Sequence, residues 1–152
     1  MSEKVELLSK TEYNTVGEAL LNLIASCPYI PYGITPQYQS IKTDESIGVF
    51  TLPGAKYLKW DITGGFTAQV NFQVAYKSFP SNNGGRIDSQ SVVDNIMDWL
   101  EKIEDVPELS GGRIITKITA QNSVPYTDTT GADKSITFAA DAVMEYKKKG
   151  TL

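Results

Sequence analysis

The side chains of this chain best suited to chemistry are carboxylates. Asp88, Asp94 and Asp98 fall in one segment, and Asp94 and Asp98 stand four residues apart, on one face if the segment is helical. Such a pair could share a proton in acid/base work, or offer oxygens to a hard cation. No histidine accompanies them, so the simpler expectation is the solvated side of an amphipathic helix. Asp128, among Thr127, Thr129 and Thr130, has the composition of a turn before that of a calcium site. Cys27 is the one cysteine, which excludes an internal disulfide. It closes an apolar helical pattern and reads as a small buried hydrophobe, not a reactive thiol.

The chain contains no histidine. Serine triads, histidine-bearing zinc sites and imidazole acid/base catalysis are therefore excluded together. Gly64-Gly65, Gly84-Gly85 and Gly111-Gly112 lack the spacing that wraps backbone amides around a phosphate. Of the three, Gly84-Gly85 alone precedes a helical pattern, and it reads as an ordinary flexible turn. Eight tyrosines and two tryptophans could stack on sugars or bases. Trp99, Tyr76 and Tyr146, however, fall on expected core faces, while Tyr29, Tyr32, Tyr38 and Tyr126 sit in connections, where they suit protein contact. The sequence thus predicts no catalytic, metal or cofactor site, and a protein that is not an enzyme.

Composition narrows the partners. The chain has 152 residues, a net charge of −4 and a pI near 4.8. Its hydrophobic share of 41% against 21% charged predicts one globular domain over 1–152. The one dense basic run, Lys147-Lys148-Lys149, is short, so no nucleic-acid sequence recognition is expected. No apolar run is long enough for a membrane span, and the charged N-terminus lacks the pattern of a signal peptide, which predicts a cytoplasmic product with no membrane partner.

These residues must be carried by an α+β arrangement. Val16, Leu20, Leu23, Ile24 and Cys27 recur at helical spacing, with Thr15 and Glu18 as a capping box and Pro28 as the stop. Tyr29 to Gln39, with Pro31 and Pro36, reads as an extended connection. Strands are expected over Ile47–Leu52 and Lys56–Thr63, the latter with Tyr57, Lys59 and Asp61 opposite Leu58, Trp60 and Ile62. The clearest pattern follows: Phe66, Ala68, Val70, Phe72, Val74 and Tyr76 on one face, Thr67, Gln69, Asn71, Gln73 and Lys77 on the other. This is period two over a dozen residues, a long antiparallel strand with one covered face. The uncharged polar face, above all Gln69, Asn71 and Gln73, suits either solvent or a contact with another subunit.

Ser78 to Arg86 reads as a loop, holding the candidate contact residues Phe79, Asn82, Asn83 and Arg86. A helix capped by Asp88 or Ser89 follows, with Val92, Val93, Ile96, Trp99, Leu100 and Ile103 as its core stripe. Arg113 to Gln121 reads as a strand. Asn122 to Lys134 reads as a second loop, holding the candidate contacts Tyr126, Asp128, Thr129 and Lys134. The last strand, Ile136 to Lys147, places Ile136, Phe138, Ala140, Ala142, Met144 and Tyr146 on one face. The expected fold is a mostly antiparallel sheet of about five strands with two helices on one face.

In element order and residue type the chain resembles the tail terminator proteins of long-tailed bacteriophages, often termed minor capsid or tail completion proteins. The resemblance runs from Thr15 to Lys148. It is carried by Gly65-Phe-Thr-Ala-Gln-Val-Asn-Phe-Gln-Val-Ala-Tyr-Lys-Ser78, by Val92 to Leu100 with Trp99, by Pro107-Glu-Leu-Ser-Gly-Gly-Arg113 and by Met144-Glu-Tyr-Lys-Lys148. It implies a structural protein that forms a ring, usually a hexamer, on the head-proximal end of a tail tube. That ring would stop tube polymerisation and present the head-joining surface. The implied partners are further copies of the chain, the tail tube protein and a head-completion or connector protein. The implied locations are the host cytoplasm during assembly and the virion. Two other readings stay open: a neck, head-completion or tail-tube protein, and a small-ligand or sugar-binding domain using the exposed tyrosines. A carboxylate-only hydrolase is the least supported.

Overall fold

The computed structural model describes residues 12–54, 57–103, 112–125 and 134–150. Helix α1 spans Glu12–Ala25, and its apolar stripe of Val16, Leu20, Leu23, Ile24 and Cys27 is buried as the spacing requires. Thr15 lies inside this helix and does not cap it. A capping box marks one possible start, and nothing in residues 12–14, which hold neither glycine nor proline, stops the helix extending past it. Turns closed by Ser26 N–H to Leu23 O (3.1 Å) and Cys27 N–H to Ile24 O (3.0 Å) end it before Pro28.

One sheet holds the remaining order: β1 (Gln37–Tyr38), β2 (Ser46–Leu52), β3 (Tyr57–Trp60), β4 (Phe66–Ser78), β5 (Arg113–Ala120), β6 (Val124–Pro125) and β7 (Ile136–Lys148). The spine is β4 with β7, antiparallel in unbroken register from Phe66↔Lys148 to Ser78↔Ile136. Each long strand is too long for a single neighbour. Beside β4 lie β2, against residues 71–77, and β3, against 66–68. Beside β7 lie β5, against 142–148, and β6, against 138–139. The sheet is therefore five positions wide but built of seven strands, more than the five or so expected, two of them only two residues long. One of these, β1, falls in the connection expected to be irregular, and it makes the one parallel pairing among the described residues, to β2.

Helix α2 spans Asn83–Glu101 and crosses the sheet over β4, β5 and β7. It begins well before the expected cap at Asp88 or Ser89. Gly84 and Gly85 each disfavour helix by about 1 kcal/mol, which is why the sequence reads as loop there. Two devices offset this. Asn82 Oδ1 accepts from the Gly85 N–H at 2.8 Å, an N-cap. Ser89 Oγ donates to Gly85 O (2.9 Å) and accepts from the buried Ser78 Oγ (2.7 Å), tying the first turn to the end of β4. A Cβ at Gly85 would stand 3.1 Å from Pro80 Cβ, tighter than an ordinary contact, so a side chain there would push Pro80 back by a few tenths of an ångström. Ser89, Val93, Ile96, Met97 and Leu100 form the buried stripe. Val92, Trp99 and Ile103 flank it half-buried, and Met97 replaces Trp99 at its centre.

Both helices cover the same sheet face. Phe66, Ala68, Val70, Phe72, Val74 and Tyr76 of β4 join Ile136, Phe138, Ala140, Ala142, Met144 and Tyr146 of β7 in one apolar cluster with the two helical stripes. At the far end of the spine Glu45 receives a hydrogen bond from the Tyr76 hydroxyl, pinning the segment before β2. Burial, with that carboxylate as acceptor, pushes the phenol well above its ordinary value.

Candidate assembly surface

The first expected contact loop is mostly helix. Asn82 is spent on the cap. Asn83 and Arg86 lie in the first turn of α2, joined to each other by Arg86 Nη2 to Asn83 Oδ1 at 2.6 Å. Phe79 alone remains a free-standing apolar projection, 45% exposed, with Lys77 Nζ 5.8 Å from its ring centre. Of the second loop, Tyr126, Asp128 and Thr129 lie outside the described residues. Lys134 is exposed, in the left-handed region (φ 59), one residue before the buried Ser135. The expected loop Asn122–Lys134 also contains β6, so pairing reaches further into it than its composition suggests.

Gln69, Asn71 and Gln73 sit on the sheet face away from the helices, each half-exposed. Asn71 Nδ2 donates to Pro53 O (3.0 Å) and Gln73 Nε2 to Asp141 Oδ1 (3.0 Å), so two of the three stitch the sheet's own surface together. Register orders the rest of this open face in rows. Lys59, Thr67, Lys147 and Ile114 form one; Gln69, Glu145 and Lys117 the next; Leu52, Asn71, Val143 and Thr119 the third. Two shallow cavities open between them, about 380 Å³ beside Ile114, Lys147 and Lys149, and about 260 Å³ beside Asn71 and Asp141.

The carboxylates of α2 do not converge. Asp94 Oδ1 accepts from the Ser123 N–H (2.8 Å), fastening the segment after β5 to the helix. Asp98 pairs with Lys102 (3.0 Å) on the exposed surface, and Asp88 stands apart at the helix start. Among the described residues no three potential metal-ligating side chains of His, Cys, Asp or Glu gather. Cys27 is buried, and desolvation raises its thiol above the ordinary value. Tyr29 and Tyr32 are exposed at 51% and 105%, and neither lines the cavities described above.

The surface that sequence reasoning missed is the β3 end. The strand stops at Trp60, earlier than the expected Thr63, because Asp61 turns the chain. Its Oδ1 accepts from the Thr63 hydroxyl (2.7 Å) and from the N–H groups of Thr63 (3.1 Å) and Gly65 (2.8 Å), and Gly64 takes φ 89. The Thr63 hydroxyl leads in holding the Asp61 carboxyl below the usual carboxylate range. A bulge between Tyr57 and Lys59 breaks the expected alternation. Tyr57 and Trp60 consequently share a side, each with its ring centre 5.0 Å from that of Phe66. All four residues of β3 are exposed, and Ile62 in the turn is 98% exposed. The signal was present in the sequence: Tyr57 and Leu58, then Trp60 and Ile62, put apolar groups on both faces of one short strand.

No family model matches the chain, and no curated protein matches its sequence. Its fold is similar to that of a chain in the virion of a native gene transfer agent (GTA) particle. That likeness has a TM-score of 0.60 at 8% identity and covers 91% of this chain and 99% of the other.

Proposed function

We propose that this protein is a structural component of a phage-like virion, acting as a tail terminator: a ring on the head-proximal end of a tail tube that stops polymerisation and offers the head-joining surface. The observation that carries the reading is the likeness of fold, along nearly the full length of both chains, to a chain of a gene transfer agent virion. The exposed side chains agree with it. A closed ring is a heterologous assembly and needs two different patches on each subunit. This sheet has unlike ends: Tyr57, Leu58, Trp60 and Ile62 at one, Phe79, Ile87 and Val124 exposed elsewhere. The protein works by fitting and not by catalysis, with further copies of itself, a tail tube protein and a head-completion protein as partners.

Solution mass by light scattering across a wide concentration range, with negative-stain images of the same samples, tests this. Closed rings of fixed size, alone or on added tail tubes, are expected. Open-ended tubes from the chain alone would assign it to the tube, and a strict monomer that ignores tail tubes would end the reading.

A further inference from the structure

Charge is distributed unevenly over this molecule. Lys59, Arg113, Lys117, Lys147, Lys148 and Lys149 all fall at the end of the sheet where β3, β5 and the last residues of β7 meet. They are six of the chain's 14 basic residues, in a chain of net charge −4, and Asp61 and Glu145 are the described acids beside them. Four of the six, Lys59, Lys117, Lys147 and Lys149, are exposed. Ile114, 49% exposed, lines the cavity of about 380 Å³ together with Lys147 and Lys149, and Ile62, 98% exposed, stands in the turn between two more of its lining residues, Asp61 and Thr63. An apolar centre ringed by charge is the anatomy of a protein contact.

The opposite charge is on the helical layer. α2 carries Asp88, Asp94, Asp98 and Glu101 against Arg86 within its span and Lys102 just past its end, the latter paired with Asp98, and α1 contributes the exposed Glu18 with no lysine or arginine. Along the outward side of α2 the exposed residues are Ile87, Asp88, Asn95, Asp98 and Glu101, with Ile87 63% exposed. This side too is an apolar projection among charges, of the complementary sign.

We infer that the outward face of α2 docks on the lysine-bearing sheet end of a second copy of this chain, Ile87 with Asp88 and Asp98 meeting Ile62 and Ile114 with Lys147 and Lys149. The occupant follows from complementarity within one chain: both halves of the contact are present on every copy, on different surfaces. Such a contact is head-to-tail and does not form a two-fold dimer; it makes a ring where the rotation from copy to copy closes. It rests on the ring reading above and adds to it the surfaces that meet. Exposed charges contribute chiefly to orientation and register, and their contribution falls as salt shortens the screening length below about 10 Å.

The test is a charge swap on the full chain. Lys147→Glu/Lys149→Glu and Asp88→Lys/Asp98→Lys are each expected to weaken self-association at least about tenfold, read as the concentration at which rings form. An equal mixture of the two variants, and the single chain carrying all four changes, are expected to recover rings. That recovery also shows that the variants are folded. Rings that persist unchanged in either double variant, or variants that stay apart when mixed while circular dichroism shows them folded, would overturn the inference and leave the ring reading standing. A wild-type chain that never forms rings, alone or on tubes, would remove the reading on which it rests.

Discussion

Along the same two strands the packing changes character. From Val70 to Tyr76, β4 is flanked by β2 and β7 and roofed by both helices, and every second side chain is sealed; Val70, Phe72 and Val74 are at most 1% exposed. From Phe66 backward the roof gives way to an aromatic ledge, Tyr57 and Trp60 on Phe66, that is itself open to solvent. The neighbour also changes, from seven paired residues of β2 to four exposed residues of β3 with a bulge in their midst. The first region uses its apolar groups to hold the fold. The second keeps them outside, beside lysines, where their burial is still available to an association. A chain can afford only a small patch of that kind, and here it lies at an edge whose bulge and Lys59 hinder uncontrolled strand pairing.

The largest effect expected is in the sealed region. Phe72→Ala removes a ring with 0% exposure at the centre of the cluster and should destabilise by about 3–5 kcal/mol in denaturant unfolding. A loss under 1 kcal/mol would mean that the spine is not the core and would break the comparison at its stronger side.

Alkali should act at the same end of the spine. The native phenol of Tyr76 holds its proton above the ordinary value of 10.0, so the unfolded chain releases that proton first. Its contribution to stability is whole below pH 10 and is lost as pH rises toward the native value. Stability should therefore fall with pH above 10, and Tyr76→Phe should flatten that slope. A slope unchanged in the variant would assign the loss to other groups.

The difference between the regions also decided what could be read in advance. Period two is clear where one face is sealed, so the core faces of β4 and β7 were legible, and the mostly antiparallel sheet with helices on one face followed from them; the burial of Ala75, Thr137 and Ala139 on the other face was not. At β3 the alternation is interrupted by a bulge, a backbone event that leaves no mark in residue type, and the expected faces of Tyr57 and Trp60 came out wrong. At the start of α2 two glycines outweighed, in the sequence, a cap and a serine chain that exist only once Ser78 and Ser89 are brought together. Of the candidate contact surface, the polar face was placed correctly but bonds partly to itself through Asn71 and Gln73. The basic sheet end was not legible, because Lys59, Lys117 and Lys147 become neighbours only through the register of four strands.

A moderate effect tests that helix start. Asn82→Ala removes the acceptor for the Gly85 N–H and should cost about 1 kcal/mol. Asn83→Ala, one residue on, removes only an exposed bond to Arg86 and should stay within about 0.5 kcal/mol. Equal losses would mean that the glycine turn is held by something other than its cap.

The smallest effect on stability belongs to Ile62→Ser. At 98% exposure the side chain has almost no burial to lose on folding, so the unfolding midpoint should move by no more than about 0.5 kcal/mol equivalent. The turn around it is set by Asp61 and Gly64, which the substitution leaves in place. If the β3 end is reserved for association, the same variant should nonetheless form rings less readily than wild type at equal concentration. A chain as stable as wild type and as ready to assemble would show that this isoleucine serves neither the fold nor a contact. A clear loss of stability would instead place Ile62 in the fold and erase the contrast between the two ends of the sheet.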